Sequence, residues 1–334
     1  MTKIHFLEER FKKTAEILEE YFNIIYPEDL DKTKQLLLST QMDISDRILS
    51  HKENEKLVSK LKPIFRALVI ERNNIAKNEG FDNYVDFIFH QDGIPQKSMR
   101  SFLKTAKKAV SKINKNLSIP PDVPDWYWSK FNIPCYLQFV EHNNNFVLPK
   151  DAYKILLHKK PRFKKLISKI EIANQEGFFP KAVFDSKNKT AIIEIDKNNT
   201  DIHNLLEFIH EVGHAVSFLE LSQKGIDPKT KPRYWNEEQA IQTVLKFEKS
   251  LPIKIKNACI GEFLGDFAAA FFEYGIYNNP NQDFDRAYAK SINRVFLMCK
   301  QKENPYYVLE KEFILKPCTS FATCIAICKY YTST

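Results

Sequence analysis

Glycine is scarce in this chain, with 8 residues in 334. So little backbone freedom disfavours an architecture of many short strands and tight turns, and favours helices. Histidine is equally scarce at 8. None follows His214, which excludes a metal site that draws a third histidine from further along the chain. The six cysteines (Cys135, Cys259, Cys299, Cys318, Cys324, Cys328) contain no CxxC pair. A ribbon-type structural zinc site is therefore not expected, and free thiols buried as small hydrophobes in a reducing cytoplasm are. No apolar run is long enough to cross a bilayer, and Met1-Thr2-Lys3-Ile4-His5 has no signal-peptide core, so a cytoplasmic protein without a membrane partner is expected. Internal repeats and low-complexity tracts are absent as well. The densest basic runs, residues 104–108 and 159–165, hold a single aromatic, Phe163, and not the repeated interleaving of a single-strand platform; they accompany no recognised nucleic-acid motif, so no specific nucleic-acid partner is expected.

What is present is apolar bulk and helical periodicity. Hydrophobic residues make up 43% and phenylalanine numbers 26, ample for a sizeable core. The formal charge of +8 is spread along lysine-rich stretches, as a solvated helix surface would be. Residues 4–25, 28–48, 53–79, 82–91, 96–116, 149–158 and 161–174 read as helices, several with apolar i, i+3, i+4 spacing. The proline-rich segment 120–124 breaks this continuity and is the best boundary, dividing the chain into a helical region 1–120 and a second region 121–334.

The second region holds His210-Glu211-Val212-Gly213-His214. On a helix, positions i and i+4 share a face, so both imidazoles reach one metal ion, and Glu211 falls beside it where an attacking water needs a general base. The surrounding stretch 202–221 predicts an amphipathic helix, with Leu205, Ile209, Val212, Val216 and Leu219 forming its apolar stripe. Asn199, Thr200 and Asp201 supply helix-start chemistry. Upstream, residues 190–195 predict a strand paired with 182–184 through a polar turn, an edge able to hold an extended peptide.

Hydrolysis at such a site needs a third protein ligand and an open position. Glu262 is the favoured ligand. It shares a polar flank with Asp266 on a helix through residues 261–274, and Asp266 would accept the Nδ1–H of a coordinating histidine. Gly261 and Gly265, two of the few glycines, suggest close backbone approach there. The competing ligand is Glu237 or Glu238, nearer in sequence to His214.

These residues resemble the gluzincin metallopeptidases, most of all the M3 family of thimet oligopeptidase and oligoendopeptidase F. The likeness extends to Glu71-Arg72-Asn73-Asn74-Ile75-Ala76, to the segment from Gly80-Phe81-Asp82-Asn83-Tyr84 to Phe87, and to Asp125-Trp126-Tyr127-Trp128. It implies a mainly α, two-lobed metallopeptidase with a small sheet edge beside the motif helix and a central active-site cleft. The helix of Glu262, with Gly265 and Phe271-Phe272 after it, is similar to the family's third-ligand helix, so the resemblance implies one zinc ion per chain on His210, His214 and Glu262, with Glu211 as catalytic base. Family members run to about twice this length and carry a histidine and several tyrosines near the C-terminus that assist the tetrahedral intermediate. Here Tyr307 is the candidate for that role, with Tyr306 and Tyr288 behind it. The separation of His214 from Glu262 is longer than the family pattern, so residues 224–250 read as an insertion bordering the cleft. The resemblance further implies hydrolysis of short or unfolded peptides by water activated at zinc. The alternatives are a non-catalytic descendant that binds peptides or a partner protein, and a carboxypeptidase of the M32 type.

Overall fold

The computed structural model describes residues 3–25, 51–116, 150–159, 161–175, 180–196, 202–248, 253–297 and 300–332. In chain order the helices are α1 (Lys3–Ile25), α2 (His51–Asn78), α3 (Tyr84–Gln91), α4 (Gln96–Asn116), α5 (Lys150–Lys159) and α6 (Lys164–Ile167). Three strands follow, β1 (Ile170–Asn174), β2 (Lys181–Asp185) and β3 (Thr190–Ile195). The remaining helices are α7 (Ile202–Gln223), α8 (Arg233–Glu248), α9 (Ile253–Asn278), α10 (Phe284–Val295), α11 (Lys311–Leu315) and α12 (Ser320–Thr332). The protein is mainly α with one small sheet among the described residues, as the glycine-poor, helix-periodic sequence requires. The expected helix at 28–48, the proline-rich boundary, Asp125–Trp128 and the start signals at 199–201 lie outside the described residues.

The chain forms two compact units: Met1–His90 with Ala268–Thr319, and Gln91–Phe267 with Ser320–Thr334. In the first, α1 packs along α2, which turns Val58, Leu61, Phe65 and Leu68 inward at helical spacing. The segment that carries part of the family likeness acts here as a structural clasp. Arg72 is buried and donates to the carbonyls of Phe313 and Ile314 and to the Tyr277 hydroxyl. Asn73 donates to the Tyr277 carbonyl at 2.9 Å and accepts from the Tyr84 amide at 2.9 Å, fixing the entry to α3. Asn83 caps that helix by accepting from the Asp86 amide at 3.1 Å.

In the second unit α7 is the central element. β3 alternates buried Ala191, Ile193 and Ile195 with half-buried residues, and it packs on α7 together with β2. The strand order is β1-β3-β2, with β3 parallel to β1 and antiparallel to β2. The hairpin is the expected one, and Asp185 closes its turn by accepting from the amides of Lys187 and Asn188. The helix expected over 161–174 is not one. A 3-10 turn (Pro161–Phe163) and the short α6 give way to β1, whose Ile170-Glu171-Ile172-Ala173 alternation pairs with β3. Tertiary pairing overrode a segment whose local preference was divided. α8 packs on α7 and on α12, and α12 packs on α4, where Phe102 meets Phe321 edge to face at 5.1 Å. α4 buries Phe102, Ala106, Ala109 and Ile113 on that side. Its other side exposes Lys97, Lys104, Lys108 and Lys115 in line, flanked by Arg100, Lys107 and Lys112, and the helix contains no acidic residue.

Candidate metal centre

The motif helix forms as its pattern predicts. Leu205, Ile209, Val212, Val216 and Leu219 are all buried, and α7 presents His210 and His214 one turn apart on its polar flank. Their Nε2 atoms lie 3.0 Å from each other. One potential ligand atom from each of His210, Glu211 and His214 falls within 4.8 Å of the others. Phe218, one turn beyond His214, stacks on its ring at 5.9 Å and meets Phe184 of β2 at 6.2 Å. Glu211 turns toward the sheet, where its Oε2 accepts the Ala182 amide of edge strand β2 at 2.6 Å.

A carboxylate of α8 faces the two imidazoles. Glu237 Oε2 lies 3.3 Å from His210 Nε2 and 3.8 Å from His214 Nε2. α8 reaches this position because Gly213 lies against it. A Cβ at Gly213 would stand 2.7 Å from Ala240 Cα and 3.0 Å from Thr243 Cβ, so only glycine permits the approach. The donor set fits a zinc ion. An ion equidistant from the two imidazole nitrogens and the Glu237 oxygen would lie about 2 Å from each, the usual Zn–N and Zn–O separation.

No family model and no curated protein matches the chain. Solved structures do. One, assigned as oligoendopeptidase F, aligns with a TM-score of 0.54 at 14% identity, covering 96% of this chain and 65% of that one. The fold is similar to that of oligoendopeptidase F. PZ peptidase A, solved with an inhibitor, aligns with a TM-score of 0.50 at 14% identity, covering 97% of this chain and 64% of that one. The chain thus spans less than two thirds of the length of either structure.

Within this oligoendopeptidase-like fold the site is electrostatically organised. Burial alone would lower the His210 pKa. The hydrogen bond to Glu237 outweighs it, with help from the charges of Glu237, Glu211 and Glu207, and the imidazole is raised above its ordinary value. Burial acts on Glu237 in the opposite sense, and the same hydrogen bond and the positive charge of His210 hold that carboxyl below its ordinary range. His214 is lowered to about 4, first by burial and then by the charge on His210. Glu211 is raised to about 7 by burial, against the pull of His210 and the Ala182 amide.

Among the sequence candidates, His210, Glu211 and His214 converge, and the acid seen beside them is Glu237. Glu238, its neighbour, is turned away and pairs with Lys329 of α12 at 2.8 Å. Glu262 lies on α9, and its side chain is outside the described residues. Asp266 is half-buried on the same helix. It does not serve His214, whose buried Nδ1 has no hydrogen-bond partner. Close backbone approach at Gly265 is not found, since a Cβ there meets nothing within 4 Å, whereas the approach is real at Gly213. Tyr307 belongs to the first unit and is buried at 2% exposure. It packs edge-on to Phe65 at 5.1 Å and against Phe272 at 5.2 Å. Burial, together with the nearby charge and hydrogen bond of Asp285, raises its pKa far above the ordinary value. The residues 224–250 expected as an insertion contain α8, and with it the carboxylate that faces the imidazoles. Glycine within the motif and a glutamate 23 positions after His214 were the available signals for this arrangement.

Proposed function

We propose that this protein is a zinc-dependent peptidase that hydrolyses short or unfolded peptides. His210, His214 and Glu237 hold the ion, and Glu211 is the general base. The observation that carries this reading is the convergence of two Nε2 atoms and one carboxylate oxygen on a point that suits zinc, with Glu211 adjacent. With zinc in place of the His210 proton, two neutral imidazoles and one carboxylate would leave the ion a net positive charge, which would polarise a scissile carbonyl and acidify water at neutral pH. Glu211 takes the proton of the attacking water and delivers it to the leaving amine nitrogen. The Ala182 amide fixes one Glu211 oxygen and so aims the other. β2 is an edge strand among the described residues, and its main-chain groups beyond Ala182 suit pairing with an extended peptide, which favours unfolded substrates. Likeness in fold to oligoendopeptidase F and PZ peptidase A supports a peptidase.

The test is a quenched peptide library, with zinc per chain measured on the same samples. Wild type is expected to cleave and to lose cleavage with chelator. Glu211→Gln keeps zinc and loses turnover, and His214→Ala loses both. Cleavage surviving in Glu211→Gln removes the mechanism. Glu237→Ala against Glu262→Ala identifies the third ligand: loss of zinc in the first and retention in the second supports Glu237, and the converse restores Glu262.

A further inference from the structure

We propose that Arg233 and Asp92 form a charge chain that orients Glu237 toward the imidazoles, an inference that rests on the metal reading above. Glu237 faces the histidines with Oε2. Its other oxygen, Oε1, lies 3.9 Å from Arg233 Nε, one helical turn away on α8. The same guanidinium lies 3.6 Å from Asp92 Oδ2 through Nη1. Carboxylate, guanidinium and carboxylate thus stand in a row that ends at the metal centre.

Asp92 is brought there by backbone. Its carbonyl accepts the Tyr234 amide at 3.0 Å. The next residue, Gly93, has φ +69, and a Cβ there would lie 2.3 Å from Pro232 Cβ. The turn between α3 and α4 is therefore seated directly on the start of α8. Asp92 is 8% exposed, and its Oδ2 has no hydrogen-bond partner. A turn that only had to close would not bury a carboxylate, since removing that charge from water costs several kcal/mol without a counter-charge. Arg233 is the counter-charge, and at 44% side-chain exposure it stays bound to both acids at the rim. With one oxygen held by the guanidinium, Glu237 cannot rotate both away from the imidazoles. Ligand orientation by such outer groups commonly governs metal affinity. The separations of 3.6 and 3.9 Å are those of ion pairs rather than hydrogen bonds. Positive charge matters more here than the fork of an arginine, so lysine should substitute.

The experiment uses the full chain as wild type, Arg233→Met, Arg233→Lys, Asp92→Asn and the Asp92→Asn/Arg233→Met double variant. Zinc affinity is read by competition with a chromogenic chelator. Cobalt absorption bands report ligand geometry, and the melting temperature of chelator-treated protein reports the fold. Arg233→Met is expected to weaken zinc binding about 10–100-fold. Arg233→Lys restores most of that affinity. Asp92→Asn weakens binding less than Arg233→Met, and the double variant is no weaker than Arg233→Met alone. Melting temperatures stay close to wild type, and the cobalt bands shift in Arg233→Met. Zinc affinity of Arg233→Met equal to wild type overturns the proposal. So does a lysine variant as weak as methionine, or independent losses from the two positions. Should Arg233→Met fail to fold, the isosteric Asp92→Asn decides alone: unchanged affinity overturns the chain. A wild type that takes up no zinc removes the metal reading and this inference together. A zinc-replete wild type matched by Arg233→Met removes only this inference.

Discussion

Replacing Gly213 by alanine sets two effects of opposite sign against each other at the contact that brings Glu237 to the imidazoles. Helix propensity favours alanine over glycine by about 1 kcal/mol. Packing opposes it, because the new Cβ would meet Ala240 Cα at 2.7 Å, Thr243 Cβ at 3.0 Å and the Ala240 carbonyl oxygen at 3.1 Å. Carbon atoms rest at about 3.5–4.0 Å, so α8 must withdraw by roughly 1 Å. The obstacle is backbone and a β-branched side chain, neither of which can swing aside. Overpacking of this kind costs about 1–3 kcal/mol, and the upper half of that range applies here. The net loss is about 1–2 kcal/mol, or roughly 2–8 °C in the melting temperature of a unit this size. Withdrawal of α8 also carries Glu237 away from His210 and His214, so zinc affinity falls along with stability. Thermal unfolding of chelator-treated protein, with zinc competition alongside, measures both. An alanine variant as stable as wild type or more so, with zinc affinity intact, refutes the reasoning, since propensity would then have won and the close approach would not exist.

Gly265→Ala provides the opposite case: with open space around its Cβ, propensity acts alone and the variant gains about 0.5–1 kcal/mol by urea unfolding. A loss there would restore the close approach expected at that glycine. Arg72→Leu leaves the carbonyls of Phe313 and Ile314 without their buried donor and should cost about 3–5 kcal/mol by the same method, and a loss under 1 kcal/mol would contradict the clasp. Burial pushes the Cys328 thiol up to about 12, so its thiolate is rare below that pH and appears only as pH rises toward it. Alkylation at pH 8, followed by peptide mapping, should leave Cys328 unmodified in the native protein and modify it after unfolding. Labelling of native Cys328 at that pH would contradict the burial.

The motif helix was legible because its evidence is local: five residues and an apolar stripe fix both the paired imidazoles and the face that α7 buries. The hairpin was legible for a similar reason, since Asp185 and the alternation of β3 state the turn and the register within a dozen residues. β1 was not, because Ile170-Glu171-Ile172-Ala173 gains its strand character from a parallel partner 21 positions away, as parallel pairing always demands. The acid beside the imidazoles was legible only as a choice. Glu237 and Glu262 both stand on helices with a polar flank, and what brings Glu237 to the imidazoles is the close approach of α8 to α7. That distance is set by Gly213, a residue inside the motif whose packing partner no local pattern names. Tyr307 illustrates the converse: two adjacent tyrosines look like hydroxyl donors in sequence, whereas in the fold Tyr307 is an aromatic core residue among phenylalanines.

The exposed side of α4 has one more consequence. Its lysines and arginine contribute +7 of the chain's formal +8, so all remaining residues together come to +1. α4 is therefore a ridge of positive charge about 27 Å long, in addition to the other basic run at residues 159–165. At low ionic strength the second unit will turn that ridge toward a negatively charged resin, and the salt needed for elution will report this one helix. At physiological salt its reach shrinks to about 8 Å, less than the thickness of the helix itself.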